Sequence, residues 1–209
     1  GIEWIGEIPK DWITSSLKRY CFFKTGSTPS TVITEWFDGE LDWYTPSDFT
    51  KNYILNNSER TLSNKAKEDH VATLVPKNTV LMIGIGGTAG KVGITTKEAS
   101  FNQQITAILT NKIHNKFLMY WMVINADFLK ETANYTTLPI INNQTLGEYL
   151  LMFPSDFNKQ QEIVDYLDEK CTEIDELIKD KKEQLEVLEQ YKKSLIYEYV
   201  TGKKTVAEE

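Results

Sequence analysis

The chain has 209 residues, 41% of them hydrophobic, and its 9 Phe, 10 Tyr and 5 Trp supply enough apolar surface for one folded domain with an appendage, which excludes a disordered chain. No run reaches the roughly 18 to 20 consecutive apolar residues of a membrane span, and the opening Gly1-Ile2-Glu3-Trp4 lacks a basic-then-apolar signal pattern, so a cytoplasmic protein is expected. The net charge of −7 argues against a uniformly basic nucleic-acid binder, but residues 51–130 hold 10 Lys and Arg against 5 Asp and Glu, while residues 158–209 hold 9 against 14.

Up to about residue 157 short β-favouring runs are separated by Gly, Pro, Ser and Asn: Leu17–Phe23, Leu41–Tyr44, Thr79–Ile85, Lys91–Thr95 and Gln104–Leu109. Ser63–Asp69 reads as a short helix and Lys116–Glu131 as a longer, largely buried one. An α+β globule over residues 1–157 is the expectation.

The texture changes at Pro154-Ser155-Asp156. From Asn158 there is neither Pro nor Gly until Gly202, and Asn158 with Gln161 three positions on forms a capping-box-like start. One helix over 158–201 follows, about 42 residues of which span roughly 63 Å at 1.5 Å per residue, with 202–209 as a tail. Its heptad seam places Cys171, Ile178, Leu185, Lys192 and Tyr199 at a, and Leu167, Ile174, Lys181, Leu188 and Leu195 at d. Such a seam predicts a coiled-coil partner, with Leu167, Cys171, Ile174, Ile178, Leu185, Leu188 and Leu195 as the apolar dimer contacts. A parallel pair would set Lys181 against Lys181 and Lys192 against Lys192. An antiparallel pair centred near residue 183 sets Lys181 beside Leu185 and Lys192 beside Ile174, which favours that orientation.

Several patterns that look like chemistry fail on inspection. Cys21 and Cys171 are too few for a disulfide framework and their separation is unlike any zinc spacing, and His70 and His114 have no second ligand nearby, so no metal site is expected. The run Gly84–Lys91 follows an apolar strand as a dinucleotide fingerprint does, yet Val92-Gly93-Ile94-Thr95 after it is strand-like where a helix is required. A phosphate loop would need Gly at Ile85 and Ser or Thr at Val92. A glycine hairpin is the expectation, in which Thr88 and Lys91 still offer donors to a nucleic-acid backbone. No nucleophile elbow, no paired carboxylates in an apolar setting and no methyltransferase-type cofactor motif is visible.

What remains is polar side chains among aromatics: Lys24, Ser27 and Thr28 in one segment, Thr45 and Ser47 in a second, Asn102 and Gln103 in a third. Amide side chains can pair with adenine, and hydroxyls and lysines reach base edges or phosphates. Thr45, Ser47, Asn102 and Gln103 are the candidate base readers, Lys24, Lys51, Arg60 and Lys91 the candidate phosphate contacts, and Ser27, Thr28 and Thr88 further donors.

Taken in order, these segments resemble the specificity subunits of Type I restriction-modification systems. The resemblance rests on Gly1–Trp12, Thr25-Gly26-Ser27-Thr28-Pro29-Ser30, Trp43-Tyr44-Thr45-Pro46-Ser47-Asp48, Gly90-Lys91-Val92-Gly93 and Phe101-Asn102-Gln103-Gln104. It continues through Leu138-Pro139-Ile140-Ile141-Asn142, Gln160-Gln161-Glu162-Ile163 and the close of the long helix at Ser194–Lys203. It implies a target recognition domain followed by a long helix, in a non-catalytic subunit that directs methyltransferase and restriction subunits to a bipartite site in double-stranded DNA. It further implies that S-adenosylmethionine belongs to the methyltransferase partner, with no cofactor in this chain. Family members usually hold two recognition domains and two antiparallel helices, so this chain is expected to be half of such a subunit and to form a homodimer. Similar modules serve Type IIB-like restriction enzymes, and a coiled-coil adaptor without DNA binding would also explain the helix.

Overall fold

The computed structural model describes residues 6–50, 52–131, 134, 135 and 139–206. These fall into two compact units, 1–162 and 163–209. In chain order the elements are β1 (Trp12–Ser16), β2 (Phe22–Thr25), β3 (Phe37–Tyr44), β4 (Ile54–Leu55), β5 (Thr61–Leu62), α1 (Asn64–Glu68), β6 (Val80–Ile83), β7 (Val92–Thr95), β8 (Ala99–Phe101) and β9 (Ile105–Leu109). They continue with α2 (Asn115–Ile124), α3 (Ala126–Glu131), β10 (Asn134–Tyr135), β11 (Pro139–Ile140), α4 (Asn143–Glu148), β12 (Leu150–Pro154) and α5 (Phe157–Val200). This is the α+β, strand-rich globule with one long C-terminal helix that the sequence leads one to expect.

Two sheets carry the first unit. One has the order β2-β9-β6-β7-β4, and the other the order β5-β3-β8, in which β3 and β8 run parallel. Tyr44, Leu55, Leu81, Ile83, Phe101, Ile105 and Ala107 belong to one core cluster. Alternation along β3 sends Tyr44 there and Leu41 and Trp43 to another with Leu62 and Ala66. Asp42 lies on the Tyr44 side of the strand, 2% exposed, where it faces Lys97 at 3.0 Å and accepts from Ser58 N and Oγ. The Tyr44 hydroxyl donates to the Leu55 carbonyl at 2.9 Å, and its burial, with the Asp42 carboxylate beside it, raises its pKa.

Two apolar runs divide where the sequence reads as one element. Leu17–Phe23 is split because Leu17–Arg19 is a 3-10 turn, which separates β1, paired with β12 near the far end of the unit, from β2, paired with β9. Lys116–Glu131 breaks at Asn125. That residue is wholly buried, donating its amide to the Trp121 carbonyl at 2.6 Å and accepting from the Tyr149 hydroxyl at 2.5 Å. A side chain that bonds back to the preceding turn ends a helix readily. The short helix α1 forms as expected, with Ser63 as N-cap accepting from Ala66 N.

The start of α5 differs from expectation by one turn position. Asp156, not Asn158, supplies the cap, its Oδ1 accepting from Asn158 N at 2.9 Å. Gln160 is buried and ties this start down, donating to the Pro154 carbonyl at 2.8 Å and accepting from His114 N at 2.8 Å. At 44 residues the helix is about 66 Å long. It ends in a Schellman motif: Gly202 has φ +73, its N–H donates to the Tyr199 carbonyl, and Lys203 N donates to the Glu198 carbonyl. Ile174, Ile178, Leu185 and Leu188 of the seam are 54%, 44%, 58% and 62% exposed, an apolar stripe that a lone helix leaves in water.

The buried Cys21 thiol is pushed up to about 12 by burial, against a smaller opposing effect of the Thr110 hydroxyl. Because the thiolate is the nucleophile, Cys21 should resist alkylation at pH 8 in the native protein and react once guanidinium unfolds it. Mass spectrometry of the labelled protein checks this, and equal labelling of Cys21 before and after unfolding would contradict it.

Candidate nucleic-acid interface

Parallel pairing of β3 with β8 brings two of the polar segments to one sheet end. Asn102 N donates to the Tyr44 carbonyl at 2.9 Å, so the segments beginning at Thr45 and at Asn102 leave adjacent strands side by side. The third segment joins through Gly26, where a Cβ would overlap the Asn102 and Phe101 carbonyl oxygens and lie 2.6 Å from Phe101 Cδ2, and through Ser27 N, which donates to the Phe101 carbonyl at 3.0 Å. Only glycine permits that approach. The exposed Thr28 hydroxyl then meets the exposed Gln103 side chain in a hydrogen bond.

The candidates divide into groups that face outward and groups that hold the loops. Thr28, Ser47 and Gln103 are exposed at the rim. Thr45 is half-buried and caps the 3-10 turn Pro46–Asp48: its N–H and Oγ1 both donate to Asp48 Oδ2, at 2.7 and 2.9 Å, with Ser47 Oγ 2.7 Å away. Asp48 Oδ1 in turn accepts from Glu59 N at 2.8 Å. Asn102 turns inward. It is 8% exposed, accepts from Gln104 N at 3.0 Å and donates to Gln104 Oε1 at 3.1 Å, an Asx-type turn that shapes the loop. Ser27 also acts within the fold, donating to the Val71 carbonyl and accepting from Thr73 N.

Among the cations, Lys24 is exposed on β2, an edge strand. Lys91 is exposed and its Nζ lies 3.5 Å from the Phe49 carbonyl, which links the β6–β7 connection to the Thr45 loop. Arg60 lies over the rings of Trp43 and Phe37, 4.8 and 5.4 Å from their centroids. Trp43 Nε1 donates to the Ser27 carbonyl at 3.1 Å, so one indole supports both the Arg60 guanidinium and the Thr28 segment. Lys51 lies outside the described residues.

Gly84–Lys91 closes an antiparallel hairpin between β6 and β7, with Gly90 N donating to the Ile83 carbonyl at 2.8 Å. Gly90 has φ +90, and a Cβ there would lie 2.7 Å from the Ala126 carbonyl oxygen. The glycines therefore serve a turn and a close backbone approach, and Thr88 is exposed on the connection. No group of three or more potential metal-ligating side chains occurs among the described residues, and no helix among them is long and apolar enough to cross a membrane.

Asp38 escaped the sequence reading. It has φ +60 at an irregularity of β3 between Phe37 and Leu41, and it lines an open cavity of about 240 Å³ with Thr31, Thr34, Phe37, Arg60 and Thr61. The register shift that turns it outward is a tertiary feature without a local signal, although the neighbouring Gly39 is a trace of it: a Cβ there would lie 2.5 Å from Ser63 Cα.

Comparison with known proteins gives a consistent picture. The family model described as the Type I restriction modification DNA specificity domain matches residues 9–187. The MjaIX specificity subunit of a Type I restriction enzyme from Methanocaldococcus jannaschii is 32% identical over 190 residues, covering 88% of this chain and 43% of the relative. A chain from a solved type I R-M system, described in terms of complex assembly and conformational transition, is similar with a TM-score of 0.76 at 16% identity, over 92% of this chain and 46% of that one. The HsdS subunit from Thermoanaerobacter tengcongensis is similar with a TM-score of 0.63 at 15% identity, over 82% and 40% respectively. The chain thus spans less than half the length of each.

Proposed function

We propose, from the premise that this chain belongs to the Type I restriction modification DNA specificity domain family, that it is the part of a restriction-modification complex that chooses a sequence in double-stranded DNA. The observation that carries this reading is the rim at the ends of β3 and β8, where exposed hydroxyl and amide groups from three separate loops meet beside Lys91 and the stacked Arg60. Short polar groups on loops fixed by a sheet can reach base edges, and flanking cations hold the phosphates. Gln103, Ser47 and Thr28 are the base readers in this reading, and Lys24, Lys91 and Thr88 contact the backbone. Thr45, Asn102 and Ser27 act by holding the loops in shape.

The chain itself is non-catalytic in this reading and works in the cytoplasm. It docks methyltransferase subunits, which hold S-adenosylmethionine, and a restriction subunit joins them. Two copies pair antiparallel along α5, which supplies two half-sites separated by an unread spacer set by the helix length.

Competition binding of the full chain with its methyltransferase partner tests the division of roles. Lys91→Ala or Lys24→Ala should weaken binding to all sequences alike and lower the magnitude of the salt slope by about one, whereas Gln103→Ala should relax a single position by about 1 to 3 kcal/mol. Uniform, salt-sensitive loss from Gln103→Ala would show that the rim contacts backbone only.

A further inference from the structure

Arg60 and Asp38 line the same cavity and carry complementary chemistry. Arg60 is fixed from both ends. Its carbonyl accepts from Trp43 N at 3.1 Å and from Ser58 Oγ at 2.5 Å, while its guanidinium lies over the Trp43 and Phe37 rings, themselves packed edge to face at 6.3 Å. Among the described residues the guanidinium makes no ion pair or hydrogen bond, so its donors are uncommitted although it rests over two rings. The Asp38 carboxylate likewise has no hydrogen bond or ion pair among the described residues, and the residue keeps a left-handed backbone that an aspartate adopts at a cost. The threonines Thr31, Thr34 and Thr61 complete the wall with hydroxyls and methyls.

We propose that Arg60 and Asp38 together read one G·C base pair, Arg60 donating to guanine O6 and N7 and Asp38 accepting from the cytosine N4 amine. This deepens the DNA-recognition reading and rests on it. A phosphate contact, the role that sequence reasoning gives Arg60, fits the cavity less well, because the Asp38 carboxylate would repel a phosphate there. The same carboxylate suits an exocyclic amine, and a guanidinium supported on two rings with its donors free suits the two parallel acceptors of guanine. The left-handed backbone at Asp38 is then a local cost retained at a recognition site.

The test is selection of binding sites from a randomised duplex library by the full chain assembled with its methyltransferase partner, with wild type, Arg60→Lys and Asp38→Asn compared. Arg60→Lys keeps the charge but loses the planar fork, and asparagine tolerates a left-handed backbone, so both variants should fold with unchanged circular dichroism. Wild type should select a G·C pair at one position. Both variants should lose roughly tenfold to a hundredfold preference at that position and keep the rest of the site. Replacing that guanine with 7-deazaguanine, which lacks N7, should weaken wild type and leave Arg60→Lys nearly unaffected. If Arg60→Lys binds as wild type while Arg60→Ala weakens every sequence equally and lowers the salt slope, Arg60 is a phosphate contact and the proposal is overturned. Loss of preference at two different positions would overturn the pairing of the two residues. Absence of any selected sequence with wild type would instead remove the recognition reading itself.

Discussion

Replacing Ile178 and Leu185 by glutamate is expected to convert a dimer into monomers. In the proposed antiparallel register centred near residue 183, Ile178 would pack beside Leu188 and Leu185 beside Lys181 of the other copy, so the double variant would alter four seam side chains per dimer. Each buried Leu or Ile contributes roughly 1.5 to 3 kcal/mol, so association should weaken by more than about a thousandfold. Light scattering reads this directly, with circular dichroism showing that the first unit still folds. The exposure of Ile174, Ile178, Leu185 and Leu188 gives the stripe its need for a partner, and in the proposed pair Lys181 and Lys192 favour the antiparallel direction. A pair of fluorophores at Asp168 and Glu198 would report orientation, since an antiparallel pair brings position 168 of one copy near position 198 of the other. Unchanged light scattering for the double variant would exclude this seam, and a 168-to-168 signal would exclude the antiparallel order.

Gly26→Ala carries the second large effect. Its Cβ would overlap two backbone carbonyl oxygens, those of Asn102 and Phe101, and neither can yield without breaking the Ser27–Phe101 and Asn102–Tyr44 hydrogen bonds that fix the rim. A destabilisation of about 3 kcal/mol is expected, at the upper end of overpacking costs, with the urea midpoint falling accordingly. Gly87→Ala is the control. Nothing lies within 4 Å of its Cβ and its φ is not left-handed, so it should stay within about 0.5 kcal/mol of wild type. Equal midpoints for the two variants would mean that the loops at the rim are not held as described.

These two cases also mark how far the sequence could be read. Short β-favouring runs bounded by Gly, Pro, Ser and Asn located β3, β6, β7 and β9, the segment from Ser63 located α1, and the loss of Pro and Gly after residue 154 located the long helix, because each of these is set by local residue chemistry. The three polar segments stood out for the same reason. Which of their side chains face outward was not legible, because Ser27 is turned inward by the distant residues 71 and 73, and the Asn102–Gln104 turn is seated beside Tyr44 only through strand pairing. Arg60 was visible as a cation, but its stacking on Phe37 and Trp43 depends on the β3–β5 register, and Asp38 became visible only through the irregularity in that same pair. The break at Asn125 was hidden because the apolar pattern continues through it and only the partners Trp121 and Tyr149 identify its role.

The most direct measurement is sequencing of methylated adenines in the DNA of cells that express this chain, as the only specificity component, with the methyltransferase subunit proposed as its partner. Two identical recognition domains on an antiparallel helix pair should yield a palindromic site, two short half-sites separated by an unread spacer of fixed length. Methylation without a sequence motif would contradict sequence selection by this chain, and an asymmetric motif would contradict the symmetric pair.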